Sequence, residues 1–156
     1  MLELFSRTPD RVKLSGNGHL TPIPINEDVA SLSAILLDDD YYHFIHSGKI
    51  ISDGLSILNV THLIPIKARA YIDLSHRKKS GESIDDRDIR KHKNDLIRLF
   101  QLLSPTLRID LMPSIQKDFR TFLNEMKTDS SIDYKSLGLK NINAHKMVAV
   151  LEKIYL

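Results

Sequence analysis

Cysteine is absent from the 156 residues. That excludes a disulfide framework, thiolate metal sites and a cysteine nucleophile, and it suits a reducing, cytoplasmic setting. No stretch has the length or charge-free character of a membrane span, so no membrane role is expected. Met1-Leu2-Glu3-Leu4-Phe5-Ser6-Arg7 lacks a basic region followed by an apolar run, so no signal peptide is expected. The chain has no G-x-x-x-x-G-K-[ST] loop, no G-x-G-x-x-G, no H-E-x-x-H and no G-x-S-x-G. The common nucleotide-loop, zinc-protease and serine-hydrolase signatures are therefore missing. There is also no internal repeat and no low-complexity linker.

What remains is enough for a packed core, since 42% of residues are hydrophobic. The net charge is only +2 but unevenly placed. Residues 1–66 carry 4 Lys/Arg against 8 Asp/Glu; residues 67–98 carry 10 against 6; residues 99–156 carry 8 against 6. The basic excess thus falls on the middle of the chain, a local field that favours phosphates.

The first part reads as β-rich. Leu2 to Phe5 is a strand candidate, Ser15-Gly16-Asn17-Gly18 a turn, and Pro22 and Pro24 punctuate an extended piece. Leu32 to Leu37 is an apolar run that suits a buried strand or part of a helix. Asp38-Asp39-Asp40 caps a helix through Tyr41, Tyr42, Phe44 and Ile45, ended by Gly48. Ile50-Ile51, the turn Ser52-Asp53-Gly54 and Leu55 to Leu58 predict a hairpin.

Helices follow. One is capped by Thr61, carries Pro65 early and is closed by Gly81. The next opens at Ser83 or Asp85, has Ile89, Leu96, Phe100 and Leu103 on one stripe, and stops at Ser104-Pro105. Pro113 starts a third through Ile115, Phe119, Phe122 and Leu123, and a last one begins near Asn143. Strands first and helices later predict an α+β fold: a short mixed sheet in residues 1–60 beside a helical bundle in residues 61–156.

Lys67 lies among apolar neighbours, with Leu63, Ala70, Tyr71 and Leu74 on its face of the helix. Such a lysine snorkels, pairs with a carboxylate, or faces a cleft that holds an anion. Asp95 stands one turn after Lys91 and three residues before Arg98, as either a surface ion-pair ladder or a carboxylate that orients a basic residue. Asp73, between Arg69 and Arg77, reads as a solvated ion-pair face, and Arg77-Lys78-Lys79 as a solvated helix end. His92 sits near an apolar stripe. His43 and His46 are spaced to clamp a metal but lack a third ligand. Asp38 to Asp40 serve as a cap or a magnesium site. Glu3 is either part of a half-exposed edge strand or a metal-binding carboxylate on a sheet.

Leu63-Ile64-Pro65-Ile66-Lys67-Ala68-Arg69-Ala70-Tyr71-Ile72-Asp73-Leu74, followed by Asp88-Ile89-Arg90-Lys91-His92-Lys93-Asn94-Asp95-Leu96, resembles the C-terminal half of bacterial nucleotidyltransferase-fold proteins. These are similar to the AbiEii toxin family of abortive-infection and toxin–antitoxin systems. There a helical lysine is followed, one helix later, by an aspartate in a D-L context, places matched by Lys67 and Asp95-Leu96. The family's glycine-rich G-G or G-S turn and following D-x-D strand have no counterpart here. Leu2-Glu3-Leu4 resembles the fold's third, single-carboxylate strand, so the chain reads as a truncated or split form beginning just before it, inactive alone.

The resemblance implies transfer of a nucleotidyl group from Mg2+-bound NTP to a hydroxyl on RNA or protein. It implies Glu3 as a metal carboxylate and Lys67 as a triphosphate contact. Asp95 would be an orienting or acceptor-side catalytic residue, and Lys91 and Arg98 would join Lys67 in binding the nucleotide. RNA or a cognate antitoxin are the implied partners. The alternative expectation is a binding module without catalysis, using the basic central helices on nucleic acid or protein. A further one is a homodimer through an exposed sheet edge.

Overall fold

The computed structural model describes residues 4–7, 20–23, 32–37 and 39–156. Glu3, Asp38, the Ser15–Gly18 turn and Pro24 lie outside the described residues. The chain is α+β and divides into two compact units, Met1–Ser47 and Gly48–Leu156.

In the first unit, strands β1 (Leu4–Arg7), β2 (Leu20–Ile23) and β3 (Leu32–Leu37) form a sheet in the order β1-β3-β2. β3 is parallel to β1, with Leu4 opposite Ala34, and antiparallel to β2, with Leu20 opposite Ile35. The run Leu32 to Leu37, apolar except for Ser33, is therefore a strand, and it takes the central place in the sheet. Pro22, which cannot donate to a ladder, falls on an outer strand. Helix α1 (Asp39–Ser47) follows, with Asp39 and Asp40 in its first turn and Tyr41 and Phe44 buried.

The second unit opens with a hairpin, β4 (Lys49–Ser52) and β5 (Leu55–Leu58), in which Ser52 faces Leu55. Asp53 and Gly54 have φ of 49° and 76°. Positive φ at both central residues makes the turn the type that matches strand twist, and Asp-Gly is suited to it. Helices α2 (Val60–Lys79), α3 (Asp86–Phe100), α4 (Pro113–Thr128) and α5 (Ala144–Tyr155) complete the unit.

The α2 cap differs from the sequence expectation. Asn59, not Thr61, is the N-cap: its Oδ1 accepts from the His62 backbone N–H at 3.1 Å, while Thr61 lies inside the helix and its hydroxyl donates to the same oxygen. Asparagine is the better cap, and the earlier start places Pro65 at the sixth position, inside the helix rather than in its first turn. Asp85 caps α3, and Asn143 caps α5 through the Lys146 N–H. Pro113 stands at the first position of α4, where its missing N–H costs nothing.

The core of this unit is one cluster. Ile64, Ala68 and Ile72 of α2 meet Leu96, Ile97 and Phe100 of α3, Phe119, Phe122, Leu123 and Met126 of α4, and Met147, Leu151, Ile154 and Tyr155 of α5. Tyr155 is 2% exposed, yet its hydroxyl donates to the Thr61 carbonyl at 2.8 Å, tying α5 to the first turn of α2. Burial pushes the Tyr155 hydroxyl pKa up.

Gly48 joins α1 to the hairpin and is required for space. A Cβ there would stand 2.2 Å from the His62 ring, and its carbonyl accepts the Asn59 N–H at 3.0 Å. Gly48→Ala is expected to cost about 1–3 kcal/mol, the usual range for overpacking. Thermal denaturation checks this.

Candidate functional site

Lys67 belongs to the flank of α2 rather than to its apolar centre. The buried positions of α2 are Ile64, Pro65, Ala68, Ile72 and Ser75. The Leu63, Lys67, Ala70, Tyr71 and Leu74 stripe is half-buried beside them. The reason is angular: at 100° per residue, Lys67 lies about a quarter-turn from the centre of the buried face. The lysine stem is covered, its side chain 15% exposed, while the ammonium reaches the facing helix α3.

There it meets Asp95. Lys67 Nζ lies 3.5 Å from Asp95 Oδ2, and Arg98 approaches Oδ1 of the same carboxylate at 3.7 Å. The carboxylate pair, one of the alternatives that the sequence offers for Lys67, is present. Lys67, Asp95 and Arg98, singled out in the sequence, thus come together where α2 and α3 pack. One carboxylate serves two cations. Lys91 stands one turn before Asp95 and is exposed. Glu3 lies outside the described residues, so it is not placed against this cluster.

The other charged groups pair partly as helical spacing predicts and partly across helices. Arg69 bonds Asp118 of α4 at 2.7 Å. Arg77 holds Asp73 at 3.5 Å and Glu82 at 2.8 Å. Lys78 and Lys79 reach Asp86 and Glu125 at 2.6 and 3.5 Å. The Arg77–Lys79 run is therefore a set of ion pairs joining α2 to α3 and α4, not merely a solvated end. A bond from Arg77 holds the Glu82 carboxyl below its ordinary value. His43 and His46 are exposed on α1, with the Tyr42 ring tilted against that of His46, centroids 4.4 Å apart. Among the described residues no group of three or more His, Cys, Asp or Glu is placed to hold a metal ion.

Sequence reading missed Lys93, which is 8% exposed. Its ammonium donates to Asp129 Oδ2 at 2.6 Å, and Asp129 Oδ1 accepts from the Ser131 N–H at 2.8 Å and from its hydroxyl. Burial acts to raise the Asp129 pKa, but the bonds from Lys93 and Ser131 outweigh it and leave the carboxyl below its ordinary value. The available signal was spacing: Lys93 falls in the stripe of Ile89, Leu96 and Phe100. Beside it is a cleft of about 200 Å³ lined by Arg90, Lys93, Asn94, Ser131, Asp133 and Ser136, among others. That is small for an organic ligand site.

Tyr71 meets Phe122 edge-on, ring centroids 5.4 Å apart. Burial, then the neighbouring Glu125 carboxylate, push its pKa from 10.0 up to about 12. A raised folded-state pKa stabilises the fold below the unfolded value, and that stability is lost as pH rises through the folded one. Unfolding free energy is expected to decline between pH 10 and 12 more steeply in the native chain than in Tyr71→Phe. Denaturant titrations at both pH values check this. If the two proteins declined equally, Tyr71 would not be the group responsible.

No protein-family model matches the chain, and no curated protein or solved structure matches it either.

Proposed function

We propose that the α2–α3 junction is the phosphate-binding part of a nucleotidyltransferase-like protein. Lys67 and Arg98 are its triphosphate contacts, Lys91 lies on the approach, and Asp95 holds the lysine in place. The observation that supports this reading is the 3.5 Å approach of Lys67 to Asp95. The resemblance paired these two residues across 28 positions of sequence, and each is supplied by a different helix. A lone surface ion pair is worth little to stability. Here, though, a half-buried ammonium is pre-positioned by a carboxylate that a second cation also approaches, an arrangement suited to receiving an anion.

The complete reaction this reading implies is transfer from Mg2+-bound NTP to a hydroxyl, with Glu3 among the metal carboxylates and RNA or a cognate antitoxin as partner in the cytoplasm. The sequence has no G-G or G-S turn followed by a D-x-D strand. The 156-residue chain is therefore expected to bind NTP without turning it over. Lys67→Ala should weaken binding of Mg2+-NTP about tenfold, the loss expected of one charge-assisted contact, as read by calorimetric titration. Robust Mg2+-dependent transfer by the wild-type chain, abolished in Lys67→Ala, would overturn the expected inactivity. Unchanged affinity in the variant would overturn the site.

A second reading has its own observation. Arg87, Lys91 and Arg98 align on the face of α3 opposite Leu96 and Phe100, and the Arg87 and Arg98 side chains are 82% and 57% exposed. That stripe suits the phosphate backbone of a nucleic acid, as in a binding module without catalysis. Binding to a polynucleotide that falls steeply with salt and is halved or worse by Lys91→Ala, while Mg2+-NTP has no effect, would favour it.

A further inference from the structure

The β4–β5 hairpin exposes more apolar surface than its size warrants. The register pairs Ile50 with Ile57 and Ser52 with Leu55, which puts Ile50, Ile57 and Leu55 on one face. Ile51 points to the other face. These four side chains are 45%, 45%, 68% and 65% exposed in that order. A two-stranded hairpin is marginal in water without further pairing or cover.

Its edge chemistry can be read from the hydrogen-bond alternation. The Asn59 N–H donates to the Gly48 carbonyl at 3.0 Å, so Gly48 and Asn59 form a hydrogen-bonded pair. By alternation, Lys49 opposite Leu58 and Ile51 opposite Ser56 are non-hydrogen-bonded pairs. The N–H and C=O groups of Lys49 and Ile51 therefore point away from β5, along the outer edge of β4. Among the described residues β4 pairs with β5 alone.

We propose that this edge takes a second copy of the chain, β4 against β4 in antiparallel order about a two-fold axis through Ile51. An antiparallel edge is self-complementary under a two-fold axis, as an isologous interface requires. Charge selects the register. With Ile51 opposite Ile51, Lys49 of one copy stands opposite Asp53 of the other, and the pairing occurs twice. Lysine on a sheet edge ordinarily discourages pairing; in this register its counter-charge is supplied by the turn of the partner copy. Both groups are exposed. The four strands would then form one sheet in which Ile50, Leu55 and Ile57 of both copies share a face. The interface is small, so the dimer should be weak, with dissociation in the micromolar range or above.

Sedimentation velocity from micromolar to near-millimolar protein tests this, independently of any role of Lys67. The expected result is a concentration-dependent monomer–dimer equilibrium. Lys49→Glu should weaken it about tenfold, because like charges then face each other at both ends of the ladder. Asp53→Lys should weaken it similarly, and the double variant Lys49→Glu/Asp53→Lys should restore it. Restoration cannot come from a damaged turn, since the turn substitution is present in the double variant. A strict monomer at every concentration overturns the proposal, and so does a dimer indifferent to the charge swap.

Discussion

Lys93→Ala will destabilise the Gly48–Leu156 unit by about 3 kcal/mol, a large share of the roughly 5–15 kcal/mol typical of a domain. The cause is less the lost attraction than what stays behind. Asp129, its side chain 20% exposed, would keep a carboxylate without its cation. The figure sits at the low end of the range for broken buried pairs because Ser131 still donates two bonds to Oδ1. Two consequences separate this account from simple loss of packing. The penalty should shrink as pH falls and Asp129 is protonated; the lowered folded-state pKa of that group contributes stability above its unfolded value of 3.8 and loses it as pH falls through the folded one. The double variant Lys93→Met/Asp129→Asn should recover most of the stability, because no unpaired charge remains and the cap on Ser131 is kept. Urea denaturation of the three proteins at neutral and acid pH measures both.

Phe122→Ala should cost about 4 kcal/mol, within the range for deleting a buried ring. Phe122 is fully buried in α4, edge-on to Tyr71 of α2 and stacked 6.2 Å from Phe119, whose ring meets Tyr155 of α5 at 4.9 Å. The Phe122 ring thus joins α4 to α2 and reaches α5 through Phe119, and its removal leaves a cavity in the middle of this ring cluster. For a unit of this size the melting temperature should fall by roughly 15 °C. Phe122→Leu, which keeps most of the volume, should lose far less. A drop for Phe122→Ala no larger than for Phe122→Leu would place the stabilising core elsewhere.

The elements most legible in the sequence were those whose signals are local. Asp53-Gly54 between apolar runs gave the hairpin, Pro113 gave the start of α4, and Asn143 gave the start of α5, because turn and cap chemistry acts within a few residues. The α+β order followed from the change in hydrophobic period. Thr61 was the wrong cap because a hydroxyl two residues inside the helix looks the same as one at its boundary until the backbone is known. Helical spacing offers Arg69 the neighbouring Asp73, but its bond to Asp118, 49 positions away, has no local signal. Lys93 illustrates the same limit. Its place in an apolar stripe was visible, but Asp129 lies 36 residues on and is joined to it only by the packing of α3 against the chain after α4. For the candidate site, Lys67 stands out by its apolar neighbours, and Asp95 and Arg98 by their helical spacing. That Lys67 is on a half-buried flank, with its ammonium on a carboxylate, depended on how α2 and α3 cross.

Titration of tripolyphosphate without metal at low salt tests the central claim most directly, in wild type, Lys67→Ala and Asp95→Asn. Asparagine keeps an oxygen to hold the lysine but removes the negative charge that an incoming anion must face. Lys67→Ala should therefore bind about tenfold more weakly, and Asp95→Asn several-fold more tightly, since one unit charge at about 4 Å is worth roughly 1 kcal/mol even in water. Opposite shifts of that kind are the predicted result; equal affinity in all three proteins would contradict the assignment of the α2–α3 junction to phosphate binding.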